Sequence, residues 1–436
     1  FFYGGMVRAK HVLAMLMQNV VCMGVVSVLW VLVGFSLAFG TDIGGGLLGG
    51  LDLVGLDGLT SGAVPGFDAL TIPAIAFVAY QMMFAVITPA LITGATADRL
   101  KFAGWTVFVA VWSLLVYAPV AHWVFSPGGW LFKRGALDFA GGTVVHVNAG
   151  VAALAVVLAI GSRRGWRRES MPAHSLPLTI LGAGILWFGW FGFNAGSALA
   201  ANGLAAQALL NTHVAAAAGM LGWLVVERIR TGHATTLGGA SGAVAGLVAI
   251  TPCAGFVSGL PAIAIGFIAG GVCAVAIALK LRMGYDDSLD VVGVHLVGGA
   301  LGSLLVGVFA SVAVNSAGRD GLVNGGGVSL LGEQALAVGA TMVFSFVASY
   351  ILAKVVDATI GLRAREDEEL GGLDLTQHGE AAYVYDEAID LIASESVPSP
   401  REPIVAEELD NIVLAEIGHE VARVGSSADE DEEAVA

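Results

Sequence analysis

The stretch Asp138-Phe-Ala-Gly-Gly-Thr-Val-Val-His146-Val-Asn-Ala-Gly is an apolar, glycine-rich run with one histidine in its middle. A second stretch repeats the pattern: Asp290-Val-Val-Gly-Val-His295-Leu-Val-Gly-Gly. In both, a glycine follows the histidine by four residues, so the two side chains share one face of a helix. An imidazole in a lipid-embedded chain is costly unless it lines a cavity or meets a partner. The two runs therefore predict one buried site built by two halves of the protein.

The composition is that of a membrane protein. Of the 436 residues, 56% are hydrophobic and 13% are charged, the mean hydropathy is +0.81 and there are 61 glycines. The glycine content suits tightly packed transmembrane helices. Because Phe1 already lies in an apolar run, we expect the chain to lack the beginning of its first helix. The apolar runs suffice for roughly ten or eleven spans and cover about residues 1–7, 12–39, 70–97, 104–125, 141–161, 176–198, 203–227, 237–254, 259–281, 289–313 and 335–360.

Positive charge alternates between successive loops. The loops between the basic ones carry Lys133, Arg134 and Arg319. Because loops rich in Lys and Arg stay in the cytoplasm, the basic loops and the C-terminus are predicted to be cytoplasmic, in a multi-pass protein of the plasma membrane. The basic loops hold Arg8, Lys10, Arg99, Lys101, Arg163, Arg164, Arg167, Arg168, Arg228, Arg230, Lys280 and Arg282, and Arg363 and Arg365 follow the last run.

Negative charge is concentrated at the C-terminal end. Residues 366–436 hold 21 of the 35 acidic residues and two of the 20 basic ones. The net charge of −15 therefore describes a tail and not the membrane body. We divide the chain into a membrane domain (1–365), a cytoplasmic C-terminal segment (366–385) and an acidic tail (386–436) that is predicted to be largely disordered.

The two histidine runs are the fifth and the tenth in the chain. Five helices apart, the two halves enter the membrane with opposite orientations. Inverted repeats of this kind place a transport pathway between the halves, near the midplane. The prediction is an all-α polytopic membrane protein with a five-plus-five inverted repeat and a site that contains His146 and His295.

Several classes of site are excluded by the residue pattern. No His-x-x-x-His pair or cysteine cluster offers the spacing of a metal site, and no nucleophile–base pair indicates an enzyme. The three cysteines, Cys22, Cys253 and Cys273, are expected to be small buried residues. We expect no cofactor, no metal and no nucleic-acid partner. Paired imidazoles suit hydrogen bonding to a small neutral molecule, or proton relay; packing histidines are the alternative.

Aromatic rings gather near the outer ends of the spans. This placement is typical of an interfacial belt, but rings beside the hydroxyl of Ser197 could bind a small cation through cation–π contacts worth up to about 2 kcal/mol. Asp138 either caps its helix or favours a nearby cation through its charge. The rings are Phe84, Phe125 and those of the run Trp187-Phe-Gly-Trp190-Phe-Gly-Phe193-Asn-Ala-Gly-Ser197.

Several long motifs resemble the ammonium transporter (Amt/Mep/Rh) family, in particular its bacterial and archaeal Amt type. The resemblance extends from residue 1 to about 385 and implies an eleven-helix protomer, a homotrimer with one pore per protomer, and ammonium transport for nitrogen assimilation. The motifs are Phe1-Phe-Tyr-Gly-Gly, the Asp138 and Trp187 stretches, Asp287-Ser-Leu-Asp290 up to His295, and Gly372-Leu-Asp-Leu-Thr-Gln-His-Gly-Glu-Ala-Ala-Tyr383.

The resemblance assigns a pore and a gate. His146 and His295 match the twin histidines of the family's pore. Phe84 and Phe193 match the stacked phenyl gate above them. Two further positions, Gln81 and Trp190, match pore-adjacent residues.

The resemblance also assigns an outer site for ammonium recruitment. Ser197 matches its hydroxyl, and Asp138 matches the family's structural aspartate beside it. Phe125 stands where the bacterial pattern usually has Trp, and its π face is weaker. A neighbour such as Trp123 or Trp130 could compensate.

This resemblance implies a mechanism and a partner. Ammonium binds outside, loses its proton near the gate and passes as ammonia along the two histidines; whether the proton follows stays open. A PII-type signalling protein is the expected partner at the cytoplasmic mouth. The alternatives are an ammonium sensor that signals through its C-terminal tail, and a Rh-like gas channel, which Phe125 suggests.

Overall fold

The computed structural model describes residues 1–60 and 62–383, so the tail predicted for 386–436 lies outside the described residues. Within them the chain is all helical, with two isolated β-bridges, Asp42–Gly49 and Leu100–Arg363, and no strand. Residues Phe1–Ala382 form one compact unit.

Thirteen helices of at least five residues follow one another along the described part of the chain, besides the short 3-10 turns Val54–Leu56 and Leu322–Asn324. They are α1 (Phe2–Met6), α2 (Ala9–Phe39), α3 (Ala74–Ala95), α4 (Phe102–Arg134, interrupted at 126–129), α5 (Gly142–Ile160), α6 (Leu176–Ala198), α7 (Gly203–Thr231), α8 (Thr236–Ile250), α9 (Gly259–Met283), α10 (Val292–Phe309), α11 (Ser329–Thr359), α12 (Glu366–Gly371) and α13 (Leu373–His378). Among the described residues, nine of these helices are long and apolar enough to cross a membrane, namely α2 to α7 and α9 to α11. The prediction of an all-helical, multi-pass membrane protein is thereby confirmed.

Two of the predicted apolar runs form shorter helices. Helix α8 has 15 residues, which at about 1.5 Å per residue is less than the roughly 30 Å of a bilayer core. Helix α1 has five residues. The eleven-helix count therefore stays a prediction.

Local sequence sets several helix ends. The side-chain oxygens of Ser175, Asn202 and Thr235 accept hydrogen bonds from backbone amides three residues on, and so cap the starts of α6, α7 and α8. Helices α7 and α9 end at Gly232 and Gly284, whose φ angles of 80° and 79° are left-handed and suit glycine.

Helix α5 lies at the centre of the molecule. Almost all of its residues are buried, whereas few residues of α6 and α11 are. It packs against α3, α10 and α11. Because α5 carries His146, the histidine of the first glycine-rich run lies in the interior, away from the lipid-facing surface.

The positively charged loops meet at one end of the molecule, which we call the basic face. There Arg8 pairs with Asp98 at 2.8 Å, and Arg163 pairs with Asp286 at 2.8 Å. The fully buried Arg99 donates to the backbone carbonyl of Asp286 at 2.6 Å. The basic loops that the sequence predicts to share one side of the membrane therefore lie together in the structure.

The opposite end is the glycine-rich face. Helix α4 leads away from the basic face, and Arg134 at its far end pairs with Glu333 near the start of α11, 2.8 Å away. The glycine-rich loop 322–328 precedes α11 at the same end.

Candidate functional site

Both histidines lie in π-helical turns at the starts of their helices. His146 is in the turn Gly142–Val147 of α5, and His295 is in the turn Val292–Leu296 of α10. The amide of His146 donates to the carbonyl of Gly141, five residues earlier, at 3.0 Å. Such single wide turns inside α-helices occur frequently at functional sites.

The two imidazoles form a buried pair. Their Nδ1 atoms are 3.2 Å apart, and their rings stack with centroids 5.3 Å apart. His146 is 1% exposed and His295 is 3% exposed. A hydrogen bond between two Nδ1 atoms needs one proton, so one ring donates through Nδ1 and the other accepts. The structure therefore brings together the two residues that the sequence placed in one site.

The glycine that follows each histidine packs against the histidine turn of the other helix. A Cβ atom added to Gly299 would lie 2.8 Å from the Cβ of His146, and one added to Gly150 would lie 2.7 Å from the Cα of Leu296. Each glycine thus lets its helix approach the other histidine's turn. The spacing His-x-x-x-Gly marks the close crossing of α5 and α10.

Each histidine turn is capped by an aspartate eight residues before the histidine. The Asp138 carboxylate accepts four amides at the start of α5, from Gly141, Gly142, Thr143 and Val144, at 2.7–3.1 Å. These four are its hydrogen bonds in the described residues, and they do not include Ser197. Burial raises the pKa of Asp138, against the lowering effect of the amides. The geometry is that of a helix cap.

In the second half the capping residue is Asp287. Its carboxylate accepts the amides of Val291 and Val292 at 3.0 and 2.7 Å. Asp290 opens the second glycine-rich run as Asp138 opens the first, yet the carboxylate that caps the second turn is that of Asp287. Asp290 instead pairs with Lys280 at 2.5 Å. The shared distance of eight residues to the histidine is the signal that could have identified Asp287.

Two phenyl rings lie next to the histidine pair. Phe84 of α3 and Phe193 of α6 have ring centroids 4.4 Å apart at an interplanar angle of 34°. Phe193 is in turn 6.2 Å from His146. The structure therefore brings together Phe84 and Phe193, the two rings that the resemblance groups as a gate, beside the imidazoles.

The indole of Trp190 covers one face of the His146 ring. Its indole stacks on His146 at 5.4 Å and 19°, and its Nε1 donates to Thr251 at 2.9 Å. Gln81, the other pore-adjacent candidate, is buried on α3, and its Oε1 has no partner in the described residues. An unpartnered buried amide oxygen is a free acceptor for a small donor.

The candidates for the outer site lie further toward the glycine-rich face. The ring of Phe125 contacts Phe84 edge-on at 6.2 Å. The hydroxyl of Ser197 lies 2.8 Å from that of Tyr80 and 3.1 Å from the carbonyl of Phe193. These contacts join Phe125 and Ser197 to the two phenyl rings.

Tyr80 is a residue of this site to which sequence reasoning gave no role. Its ring contacts Phe84 at 4.9 Å, and its hydroxyl donates to the carbonyl of Phe193 at 2.5 Å. The signal was its position four residues before Phe84, on the same face of α3.

The two tryptophans considered as substitutes at the outer site pack elsewhere. Trp123 contacts Phe344 of α11 at 4.8 Å and donates from Nε1 to the carbonyl of Leu47 at 2.8 Å. The ring of Trp130 contacts Trp123. Neither has a ring contact with Phe125 in the described part of the chain. No group of three metal-ligating side chains occurs among the described residues.

Comparison with known proteins identifies the family of the chain. The profile of the Ammonium Transporter Family matches residues 1–383. An ammonium transporter of Mycobacterium tuberculosis is 49% identical over 446 aligned residues, which cover 97% of this chain and 92% of that protein.

Solved structures give the same result. The crystal structure of Candida albicans Mep2 superposes with a TM-score of 0.78 at 36% identity, covering 93% of this chain and 89% of that one. A structure named Sensor Amt Protein superposes with a TM-score of 0.77 at 30% identity, covering 86% and 92%. The chain therefore belongs to the ammonium transporter family.

Proposed function

We propose that this protein transports ammonium across the plasma membrane, with the glycine-rich face outside and the basic face in the cytoplasm. The observation that carries the proposal is an unbroken line of side-chain contacts, from Phe125 through Phe84, Phe193 and His146 to His295. It runs from an aromatic, hydroxyl-bearing outer site to a buried imidazole pair, as selection and then conduction of a small polar solute require.

Recruitment is the first step. Ammonium is held outside by the ring of Phe125 and by the hydroxyls of Ser197 and Tyr80, whose oxygens keep lone pairs free to accept its N–H groups. A cation–π contact adds up to about 2 kcal/mol when desolvated. The Tyr80 hydroxyl supplies polar contact at a site where Phe stands for the usual Trp. Asp138 precedes α5 on the outer side of the histidine pair, but its carboxylate is engaged by backbone amides at the start of α5 and is not assigned to ammonium.

Deprotonation follows at the gate formed by Phe84 and Phe193: one N–H bond of ammonium breaks, and its proton passes either to water on the outer side or to the histidine pair. Moving a bare cation into a low-dielectric interior costs tens of kcal/mol, whereas an amide- or hydroxyl-sized polar group costs roughly 2–7 kcal/mol. A few cation–π and hydroxyl contacts do not offset the first cost, but two imidazoles offset much of the second. The species that passes His146 and His295 is therefore ammonia, with Trp190 and Gln81 beside its path.

The test is transport by the purified protein in liposomes under an inward ammonium gradient. Proton relay through the histidine pair gives a current, and the membrane potential adds a driving force of about 2.3 kcal/mol per 100 mV for each charge that crosses. Passage of ammonia alone gives lumenal alkalinisation without current. A potassium gradient and protein-free liposomes are the controls. The proposal would be contradicted if the protein produced no current and no alkalinisation above these controls.

The resemblance supports a fuller assembly. We propose an eleven-helix protomer with a five-plus-five inverted repeat, a homotrimer, and a PII-type protein as the cytoplasmic partner in control of nitrogen assimilation. The C-terminal segment is the proposed point of regulation, because its helices α12 and α13 pack on the basic face. Pull-down of the host's PII-type protein at low and high 2-oxoglutarate tests the partner; no binding in either condition contradicts it.

An ammonium sensor is the second candidate. The observation that favours it is the similarity to the structure named Sensor Amt Protein. Deleting residues 386–436 separates the two functions. Loss of a downstream response with full ammonium uptake supports the sensor, and equal loss of both supports the transporter.

A further inference from the structure

The C-terminal helix α13 caps two membrane helices at the basic face. The Asp374 carboxylate accepts the amide of Ala14 at 2.8 Å. Ala14 lies in the first α-helical turn of α2, directly after the 3-10 start Ala9–His11. The Gln377 side-chain oxygen accepts the amide of Phe102 at the start of α4 at 2.9 Å. Amides at helix starts lack partners within their own helix and attract negative charge. Docking of this segment therefore satisfies groups that would otherwise need water.

His11 makes a third contact between the basic face and α13, and here the C-terminal segment donates the hydrogen bond and does not accept it. It is 1% exposed, and its Nδ1 accepts the backbone amide of Leu373 at 3.2 Å. An imidazole accepts at Nδ1 only when it is neutral and carries its proton on Nε2. Once protonated, the ring presents N–H groups on both nitrogens, and the Leu373 amide then faces a donor.

Charged groups surround His11 on every element packed against it. Its own segment supplies Arg8 and Lys10, which oppose protonation. The α3–α4 connection supplies Asp98 and helix α13 supplies Asp374, which favour it. Asp98 is already paired with Arg8 at 2.8 Å, and burial disfavours a charged imidazole.

From this geometry we infer that His11 is a pH-sensitive latch for the C-terminal segment: the neutral ring holds residues 366–379 on the basic face, and acidification of the adjoining compartment releases them. The ordinary imidazole titrates near about pH 6.5, so a change between mildly alkaline and acidic pH spans the two states of the ring. Release uncaps the starts of α2 and α4 together, because α13 binds both. Docking itself does not depend on the proposed transport.

If the proposed function holds, transport itself changes the pH to which the latch responds. Ammonia that enters a cell takes up a proton and raises the pH on the basic face. Influx would then favour the docked state, so the segment would respond to the product of transport. This last link rests on the proposed function.

Hydrogen–deuterium exchange on the full-length protein in nanodiscs tests the latch. After correction for the intrinsic pH dependence of exchange, we expect the Leu373 amide and its neighbours in 366–379 to lose protection at least tenfold between pH 8.0 and pH 5.5. The matched variant is His11→Asn, whose amide oxygen accepts the same hydrogen bond without titrating. It should keep equal protection at both pH values.

Several outcomes would overturn the inference. They are constant protection in the wild type, an equal pH response in His11→Asn, or stronger protection in acid, which would indicate attraction between the imidazolium and Asp374. If His11→Asn does not fold, exchange of the imidazole C2 hydrogen in the wild type reports the protonation of His11 directly. Its midpoint must then coincide with that of segment release, and separate midpoints refute the latch.

Discussion

The Nδ1 atoms of His146 and His295 lie 3.2 Å apart, a distance at which one proton between the rings can serve both, and we therefore propose that the pair acts as a single chemical unit. A second positive charge in the pair is opposed by repulsion and by burial. We expect His146→Ala, His295→Ala and the double variant to lose ammonium-driven current to a similar extent, because removing either ring breaks the relay. Ammonia passage, measured as alkalinisation, can persist.

The control for the pair is His233→Ala, at an exposed position after α7, which should leave the current unchanged. Additive effects of the two single substitutions on current would contradict a shared proton, because groups that act independently give additive free energies.

Phe193 contacts Phe84, Trp190 and His146 in the described structure, so it separates the outer site from the imidazoles. We expect Phe193→Ala to reduce ammonium selectivity or abolish conduction, while the protein stays folded, because its ring is only half-buried and lies at the edge of the hydrophobic core. Ammonium and potassium fluxes in liposomes measure this. Unchanged flux and selectivity would remove the phenyl pair from the mechanism.

At the scale of elements, the crossing of α5 and α10 decides where the imidazoles meet. An added methyl group at Gly299 would lie 2.8 Å from the Cβ of His146 and 3.0 Å from the carbonyl oxygen of Gly142, so one of the two helices would have to shift. We expect Gly299→Ala to destabilise the protein by roughly 1–3 kcal/mol and to reduce current strongly. Gly339→Ala on α11 meets no atom within 4 Å and is the matched control.

Thermal unfolding and liposome current measure the two effects of Gly299→Ala separately. Equal behaviour of Gly299→Ala and Gly339→Ala in both assays would show that the close crossing is not required.

Much of the site was predictable because its residues sit in long, specific motifs. His146, His295, Phe84 and Phe193 meet as expected. The residue that caps α10 is not evident from the repeated motif, because Asp290, which opens the second run, adopts a left-handed φ of 65° and pairs with Lys280. Only the distance of eight residues to His295 points to Asp287.

The π-helical turns are likewise not predictable from the sequence. A wide turn depends on how two helices fit against each other and leaves no local sequence pattern. The role of the two glycines escapes prediction for the same reason. A helical period predicts which residues share a face, but not which face of another helix they meet.

At the scale of the whole molecule, the basic face is held by buried ion pairs. Burial alone would raise the pKa of Asp286, but the hydrogen bonds and charge of Arg163, with the charge of Arg99, lower it below its ordinary value. A carboxylate with a lowered pKa stabilises the folded state above the unfolded-state pKa of about 4, and this contribution is lost as the pH falls through the folded-state value.

We therefore expect the melting temperature of the wild type to fall as the pH is lowered from 6 toward 3. Asp286→Asn should lower the free energy of unfolding at pH 7 by about 3–5 kcal/mol, because Arg163 loses its buried partner, and should flatten the acid dependence. The exposed Asp68→Asn is the control. Equal pH profiles for Asp286→Asn and the wild type would contradict this account.

The orientation in the membrane follows from the same charge distribution. The basic residues of alternate loops meet on one face, and α11 leads to that face before α12 and α13 pack against it. Since positive loops stay in the cytoplasm, a cysteine at position 380 should react with an impermeant maleimide only after the cells are permeabilised. A cysteine at Val323, exposed on the glycine-rich face, should react in intact cells. The native residues Cys22, Cys253 and Cys273 are buried and give little background. Labelling of position 380 in intact cells, with Val323→Cys protected, would contradict the proposed orientation. Ammonium entering the cell would then reach the histidine pair before the phenyl gate.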